Sequence, residues 1–202
     1  MSERPISEFA EINPRSRPPI GLKLTDPVSF IPMADVSESG AWTGEKRGPL
    51  VAAASGYTNF QEGDILLAKI TPCLENGKGA HAVGLCNGYG YGSTEFHVLR
   101  AKAGASARYL FHISQHRAFR LRAEMQMTGT AGQRRVPTDF FDRYCVVLPS
   151  TAEQSRIAEI LDTLDAAIRG TEAVVAKLKA MKQGLLHDLL TRGIDANGDL
   201  RP

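Results

Sequence analysis

The most constraining feature of this chain is a proline-free stretch of about 40 residues, which runs from Ser150 to Arg192 near the C-terminal end. Apolar residues recur along it in two heptad phases that lie three residues apart. The predicted seam consists of Ile157, Ile160, Leu164, Val174, Leu178, Met181 and Leu185. This spacing is typical of the a and d positions of a coiled coil. A helix of this length measures roughly 60 Å, and its apolar stripe needs a partner, most economically a second such helix.

Signals at both ends set the bounds of this helix. Pro149 precedes a capping box formed by Ser150 and Glu153, and Gly193 suits the position after the last helical residue. We therefore divide the chain into a domain of residues 1–149, a long helix of residues 150–192 and a tail of residues 193–202.

The first domain is predicted to be mostly strand. Prolines break any helix in its first 60 residues, and short apolar runs predict strands near residues 28–33, 64–70, 80–85, 95–100 and 143–148. The second and third of these flank an Asn76-Gly77 turn and look like a hairpin. One helix is expected from Ser106, as N-cap, to about Met127. Its apolar face is expected at Leu110, Ile113, Ala118, Leu121 and Met125. The predicted fold class is α+β, with a mostly-strand domain followed by one long coiled-coil helix.

Neither a catalytic nor a metal site emerges from the sequence. The chain lacks a GxxxxGK[ST] loop and an Asn/Asp-Pro-Pro-aromatic tetrad, and its three cysteines form no CxxC pair. His112 and His116 are four residues apart on the predicted helix, but no further ligand motif accompanies them. The glycine-rich segment 88–92 is interpreted as a mobile surface loop. We expect no cofactor.

Several features bear on location and on partners. No apolar run approaches the ~20 residues of a membrane span, and the N-terminal residues do not resemble a signal peptide, so a cytoplasmic protein is expected. Positive charge is concentrated between residues 100 and 135, where eight arginines and lysines accompany the single acid Glu124. This cluster favours a polyanion-binding surface, although a solvated helix face would have the same composition.

Four polar loops combine cations, amides and hydroxyls with glycine, which lets a backbone approach a ligand closely. They cover residues 69–71, 76–78, 89–94 and 128–135. Lysine and arginine bind phosphates, while Gln, Asn, Arg, Ser and Thr can reach base edges. The loops therefore indicate a nucleic-acid surface.

Longer segments resemble a known family. The segment Gly63–Ala80, which contains the run GDILLAKITPCLENGKGA, closely resembles a segment of the DNA specificity subunits of type I restriction–modification systems. So does Gly92–Leu99. The segment Leu148–Asp162, together with Leu189–Asp195, looks like the spacer helix of that family. The resemblance covers nearly the whole chain, in the order domain and then helix.

The resemblance implies a non-catalytic subunit of a methyltransferase and endonuclease complex. In that family a target recognition domain reads one half of a split site on double-stranded DNA. A helix spaces it from a second domain, and methyltransferase subunits dock on the assembly and bring S-adenosylmethionine. The usual member has two domains and two helices, whereas this chain has one of each. It is either a half-size subunit that forms a homodimer or the N-terminal half of a longer subunit. Whether a restriction subunit also joins stays open.

Within this hypothesis, individual loop residues receive roles. The expected phosphate contacts are Lys69, Lys78, Arg134 and Arg135, and the expected base readers are Thr71, Asn76, Ser93, Thr130 and Gln133. A rival hypothesis makes the coiled coil the function, in a structural or interaction protein whose domain binds protein rather than DNA.

Overall fold

The computed structural model describes residues 3–42, 46–130 and 132–201. The chain forms two compact units, Met1–Ala158 and Glu159–Pro202. The strands of the described part are β1 Glu3–Pro5, β2 Ala10–Ile12, β3 Pro27–Ile31, β4 Arg47–Pro49, β5 Thr58–Gln61, β6 Ile65–Ala68, β7 Gly79–His81, β8 Tyr89–Gly92, β9 Phe96–Ala101 and β10 Cys145–Val147. The α-helices of the described part are α1 Ile6–Phe9, α2 Ala107–Gln115, α3 Arg117–Met125, α4 Phe140–Arg143 and α5 Thr151–Arg192. The predicted α+β class is confirmed.

The strands of the first unit form two four-stranded sheets and one two-stranded ribbon. The central sheet has the order β2-β9-β6-β7 and is antiparallel throughout. The second sheet has the order β4-β3-β8-β5, in which β3 and β8 run parallel. The ribbon pairs β1 with β10. The predicted hairpin is confirmed, since β6 and β7 pair around the loop that contains Asn76 and Gly77.

Strand β6 lies at the centre of the core and is buried on both faces. Successive side chains of a strand point to opposite faces. Ile65 and Leu67 join a cluster with Phe119 and Phe140 of the helix layer, whereas Leu66 joins a second cluster with residues of the second sheet. The central sheet is therefore packed between the helices and the second sheet, which explains why this segment of the sequence is apolar without alternation.

Segment 88–92 is a buried strand, so its interpretation as a mobile surface loop was wrong. Strand β8 lies between β3 and β5, and all four of its residues are buried. A Cβ atom at Gly90 would collide with the ring of Phe60, and one at Gly92 would collide with the carbonyl oxygen of Ile31. These glycines are there because neighbouring groups approach the strand closely.

The single helix expected from residue 106 to 127 is broken into α2 and α3. Ser106 caps α2 as predicted, since its hydroxyl accepts a hydrogen bond from the Tyr109 amide at 3.3 Å. His116 has an extended backbone (φ −66°, ψ 133°) and separates the two helices. His112 and His116 therefore do not share one continuous helix, and the described residues contain no cluster of three potential metal ligands.

The break also changes which side chains of α3 are buried. Each short helix can turn its own face to the core. Phe119 and Ala123 are completely buried, whereas Leu121 and Met125 are exposed. The apolar face expected from the unbroken helix was thus wrong in its second half.

The beginning of α5 belongs to the first unit. The capping box is confirmed, because the Ser150 amide donates to Glu153 Oε2 at 3.0 Å. Gln154 is buried, and its Oε1 accepts a hydrogen bond from the Ser106 amide at 2.8 Å. Ala158 is buried as well. The first two turns of the helix, which the sequence division assigned to the separate rod, therefore complete the core of the first unit.

In the second unit α5 continues to Arg192 with most of its apolar residues exposed. Gly193 follows the helix with φ +70°, and its amide donates to the Leu189 carbonyl, as expected of a C-cap. The seven predicted seam residues, the first of which, Ile157, lies in the first unit, are 37% to 60% exposed. None of the described helices is both long and apolar enough to cross a membrane. An apolar stripe of this length without cover marks an interaction surface.

A buried histidine connects the central sheet to the segments on either side. Only 3% of His97 on β9 is exposed, and its Nε2 lies 2.8 Å from the Val136 carbonyl oxygen, to which it donates. Its Nδ1 lies 3.1 Å from Asn13 Nδ2 and accepts from it. Both contacts suit the neutral imidazole. Burial lowers the pKa of His97 from 6.5 to about 4, because the buried site disfavours the charged ring.

We expect this histidine to make the first unit acid-sensitive. Since the folded pKa lies below the unfolded value, His97 stabilises the fold fully above pH 6.5, and this contribution is lost as the pH falls towards 4. The loss should reach roughly 3 kcal/mol. Urea unfolding between pH 7 and 4.5 should therefore show a steeper fall in the free energy of unfolding for the native chain than for His97→Gln. Parallel curves would contradict the assignment.

Candidate nucleic-acid interface

The predicted loops 69–71, 76–78 and 128–135, and the end of the predicted loop 89–94, meet at one end of the central sheet. Ala68, the last residue of β6, pairs with Phe96, the first residue of β9, so the segments beyond them are neighbours. The Lys69 amide donates to the Glu95 carbonyl at 2.9 Å. The Thr71 amide in turn donates to the Arg134 carbonyl at 3.0 Å. Loops 69–78, 93–95 and 128–135 thus form one surface, called here the loop surface; within it, Ala131 lies outside the described residues.

An ion pair holds this surface together. The Arg135 guanidinium donates to both carboxylate oxygens of Glu95, through Nε at 2.9 Å and through a terminal nitrogen at 2.8 Å. This hydrogen bond is the largest influence that lowers the pKa of Glu95. The two residues are 40 positions apart, so the pair connects loop 128–135 to the start of β9. The carboxylate of Glu95 largely offsets the positive charge of Arg135. The role of Arg135 as a phosphate contact stays a prediction.

The turn between β6 and β7 is shaped by internal hydrogen bonds. The Asn76 amide donates to the Pro72 carbonyl, and the Lys78 amide donates to the Cys73 carbonyl. Gly77 has φ +91°, a conformation that favours glycine. Lys78 Nζ donates to the Met33 carbonyl at 3.1 Å, which gives this predicted phosphate contact a structural partner. Asn76 stays exposed.

Arg120 of α3 supports this turn from inside the protein. The side chain is 8% exposed and donates to the carbonyl oxygens of Leu74 at 2.9 Å and of Gly77 at 2.7 Å. It also donates to Gln115 Oε1 at 2.6 Å. Burial lowers the pKa of Arg120 to about 10, so the guanidinium is still charged at neutral pH. A charged donor thereby holds the backbone on which Asn76 is carried.

The remaining candidates differ in how freely their side chains are presented. Thr130 and Gln133 are exposed. Arg134 is about two-fifths exposed and makes only a long contact of 3.9 Å with Glu75. The Thr71 hydroxyl donates to Glu75 Oε1 at 2.7 Å, and the Ser93 hydroxyl accepts from the Glu95 amide at 3.2 Å. The exposed amides and Arg134 are therefore the groups best placed to meet a ligand.

The basic cluster of residues 100–135 is not one continuous surface of free cations. Arg100 makes two hydrogen bonds of 2.7 Å to the buried carboxylate of Asp64. Arg120 and Arg135 have the internal partners described above. Lys102 Nζ also donates to the Ser7 carbonyl at 2.7 Å, and the Arg108 guanidinium lies 5.0 Å from the centre of the Phe111 ring. At least five of the eight cations are thus engaged with the fold, which the count of charges in the sequence did not indicate.

A family model describes nearly the whole of this architecture. The model for the type I restriction modification DNA specificity domain matches residues 2–180. The chain belongs to this family. The family implied by the sequence segments is therefore confirmed.

Curated relatives of the specificity domain come from Escherichia coli. The specificity subunit of the type I restriction enzyme EcoEI is 40% identical over 160 residues, which cover 75% of this chain and 25% of that protein. The EcoAI specificity subunit is 39% identical over 165 residues, which cover 75% of this chain and 26% of that protein. The chain thus spans about a quarter of the length of these relatives.

Solved structures share the fold of this specificity domain. The crystal structure of the HsdS subunit from Thermoanaerobacter tengcongensis matches with a TM-score of 0.62 at 20% identity, over 89% of this chain and 46% of that chain. A chain from a study of complex assembly and conformational transition of the type I R-M system matches with a TM-score of 0.62 at 18% identity. That match covers 96% of this chain and 46% of the other. At these identities the likeness concerns the fold.

Sequence reasoning missed the residues that hold the loop surface of the specificity domain in place. Glu75, Glu95 and Arg120 support the candidate contacts but were not proposed. The only local signal for Arg120 was its position next to the buried Phe119. Two of its partners, Leu74 and Gly77, are distant in the sequence, and the third, Gln115, lies across the helix break. The pairing of Glu95 with Arg135 left no local signal at all.

Removing Arg120 should loosen the turn that it supports. Arg120→Met leaves two buried carbonyl groups and Gln115 without their donor, which we expect to lower the free energy of unfolding by about 3 kcal/mol. Hydrogen exchange of the amides of residues 74–78 should also accelerate. Arg122→Met is the matched control, because Arg122 is on the same helix and exposed. Equal stability and exchange in the two variants would contradict this role.

Proposed function

We propose that this chain is a sequence-specific DNA-binding subunit of a type I restriction–modification complex. Its first unit would read one half of a split site on double-stranded DNA through the loop surface. The family match over residues 2–180 carries this proposal. The names of the relatives identify specificity subunits of type I restriction enzymes.

The chemistry of the loop surface supports a DNA ligand. Asn76 and Gln133 present exposed amides that can pair with base edges, most typically adenine. Thr130 offers a hydroxyl, and Arg134 offers a guanidinium for a phosphate or a guanine. Hydrogen bonds between the loops hold the backbone that carries these groups, and this reduces the entropy that binding costs.

In this proposal the chain carries no catalytic group and no cofactor. Methylation of a base inside a duplex requires the base to be flipped out of the stack. Methyltransferase subunits with S-adenosylmethionine would supply that step, and the specificity subunit would position them, together with a restriction subunit where one is present. We expect the complex to be located in the cytoplasm, where it would bind DNA.

The exposed seam of α5 supports assembly through the helix. We propose that two such helices pair in antiparallel orientation, either in a homodimer or with a second half of a longer subunit. Antiparallel pairing relates the two recognition domains by a twofold axis, so a homodimer would read a split palindrome.

DNA binding by the full chain can be tested by fluorescence anisotropy of a labelled duplex over a range of salt concentrations. We expect Arg134→Ala to weaken binding to all sequences and to reduce the log–log salt slope by about 1, since one phosphate contact is lost. Gln133→Ala should instead relax the preference at one base, at a cost of about 1–3 kcal/mol. Arg143→Ala is the control, because Arg143 is exposed on α4 and pairs with Asp139.

The same experiment separates this function from its rival. The uncovered seam would also suit a structural or interaction protein whose first unit binds another protein. Absence of DNA binding by the native chain at low salt, with a helix that still associates, would favour that alternative. Salt-dependent binding with a sequence preference would exclude it.

Helix pairing is tested by changing a seam residue. Leu178 is 58% exposed in the single chain and would be buried in the pair. Leu178→Asp should place an unpaired charge in that interface and shift sedimentation equilibrium from dimer to monomer. Ala176→Asp is the matched control, since Ala176 is also exposed but lies outside the seam. A native chain that is monomeric at tens of micromolar would assign the seam to another protein or to a second half of the subunit.

A further inference from the structure

A cationic cleft lies beside the loop surface, and the sequence analysis did not propose it. The cavity has a volume of about 480 Å³. Segment 13–17 forms one wall, and Thr58 and Asn59 of β5 contribute to another. Arg15, Arg17 and Lys69 all line it, and no acidic side chain does. The cleft therefore collects three positive charges, and no carboxylate is among its lining residues.

The two arginines of this cleft have no hydrogen-bond or ion-pair partner among the described residues. Arg15 and Arg17 are exposed, and their side chains make neither a hydrogen bond nor an ion pair with any described residue. The side chain of Lys69 is half-buried and makes neither contact within the described ranges, but, beside the hydrogen bond from Arg135, its charge helps to lower the pKa of the neighbouring Glu95 carboxyl. This distinguishes them from Arg100, Arg120 and Arg135, whose guanidinium groups are bound to carboxylates or carbonyls of the fold.

The wall that carries the two arginines is rigidly anchored. The Asn13 amide donates to the Val98 carbonyl at 2.7 Å, and Asn13 Oδ1 accepts from the Val98 amide at 3.0 Å. Pro14 is buried. The Ser16 hydroxyl accepts from Arg100 at 2.8 Å. Residues 14 and 16 are thus held inward, while Arg15 and Arg17 alternate with them and stay exposed.

Like charges gathered on a fixed wall repel one another, and an anion in the cleft would relieve that repulsion. Guanidinium groups match the geometry of phosphate oxygens, and an ammonium group adds a point charge. The cleft is open, so it can admit a group that belongs to a long polymer. Lys69 belongs both to this cleft and to loop 69–78, so the cleft and the loop surface are continuous.

We infer that Arg15, Arg17 and Lys69 form a phosphate-binding cleft that takes the backbone of the DNA strand whose bases meet the loop surface. The inference rests on the proposed function and adds to it a contact site on a different segment of the chain. Because phosphates are the same in every sequence, the cleft would add affinity and fix the register without selecting bases.

The test compares two double variants of the full chain. Arg15→Ala with Arg17→Ala should reduce the log–log salt slope of DNA binding by roughly 2 and weaken specific and random duplexes by the same factor. The bases preferred in a selection from a random pool should not change. Lysine at both positions should restore the slope, since each charge is retained. Thermal unfolding should be unaffected, because neither arginine has a partner in the described fold.

The matched control removes two arginines that lie elsewhere. Arg4 pairs with Glu8 and Arg143 pairs with Asp139, all of them at exposed positions. Arg4→Ala with Arg143→Ala should leave the salt slope as in the native chain. An unchanged slope in the Arg15 and Arg17 variant, with native DNA binding intact, would overturn the cleft and leave the proposed function standing. A native chain that binds no DNA would overturn both.

Discussion

The burial of β6 on both faces is the constraint on which the first unit depends. Ile65 and Leu67 face the helix layer while Leu66 faces the second sheet, so this short strand joins both cores. Its antiparallel neighbour β9 is fixed in register by the pairing of Ala68 with Phe96. Strand β6 ends and strand β9 begins at that pair. Lys69, which follows β6, and Glu95, which precedes β9, therefore lie side by side. The loop surface and the cationic cleft are consequences of where this strand ends.

Local signals in the sequence predicted the elements whose causes are local. Ser106 and the Ser150–Glu153 box begin helices because their side chains satisfy amides within three residues. The β6–β7 hairpin follows from two apolar runs around one turn. No glycine or proline marks the break at His116. The break allows Phe119 and Ala123 to pack against residues that are distant in the sequence, so local signals did not predict it. The strand at Tyr89–Gly92 depends on the ring of Phe60, so its glycines looked like a loop.

In the candidate site, too, the sequence predicted the local feature, the number of charges, but not their long-range pairing. The count of cations predicted a basic surface in residues 100–135, but it could not distinguish Arg100, bound to buried Asp64, from a free arginine. Pairing depends on which carboxylate the fold brings near, and the partners here are 36 and 40 residues apart. The unpaired Arg15 and Arg17 lie in a proline-rich segment of modest charge, where sequence reasoning looked only for strands and turns.

The helix of the second unit, unlike the elements of the first, has no buried core to stabilise it within the described chain. A helix is stabilised mainly by the packing of its apolar face, and isolated helices are marginal in water. Gly170 and Gly184 lie inside α5 with nothing nearby to pack against, and each weakens the helix by about 1 kcal/mol relative to alanine. The first two turns are secured by Gln154 and Ala158 within the first unit, whereas the exposed turns beyond them have no such support in the described chain. Pairing of the seam would supply the missing burial, so folding of the distal helix and assembly of the specificity subunit become one equilibrium. The distal helix would then be fully ordered only where a second helix covers its seam.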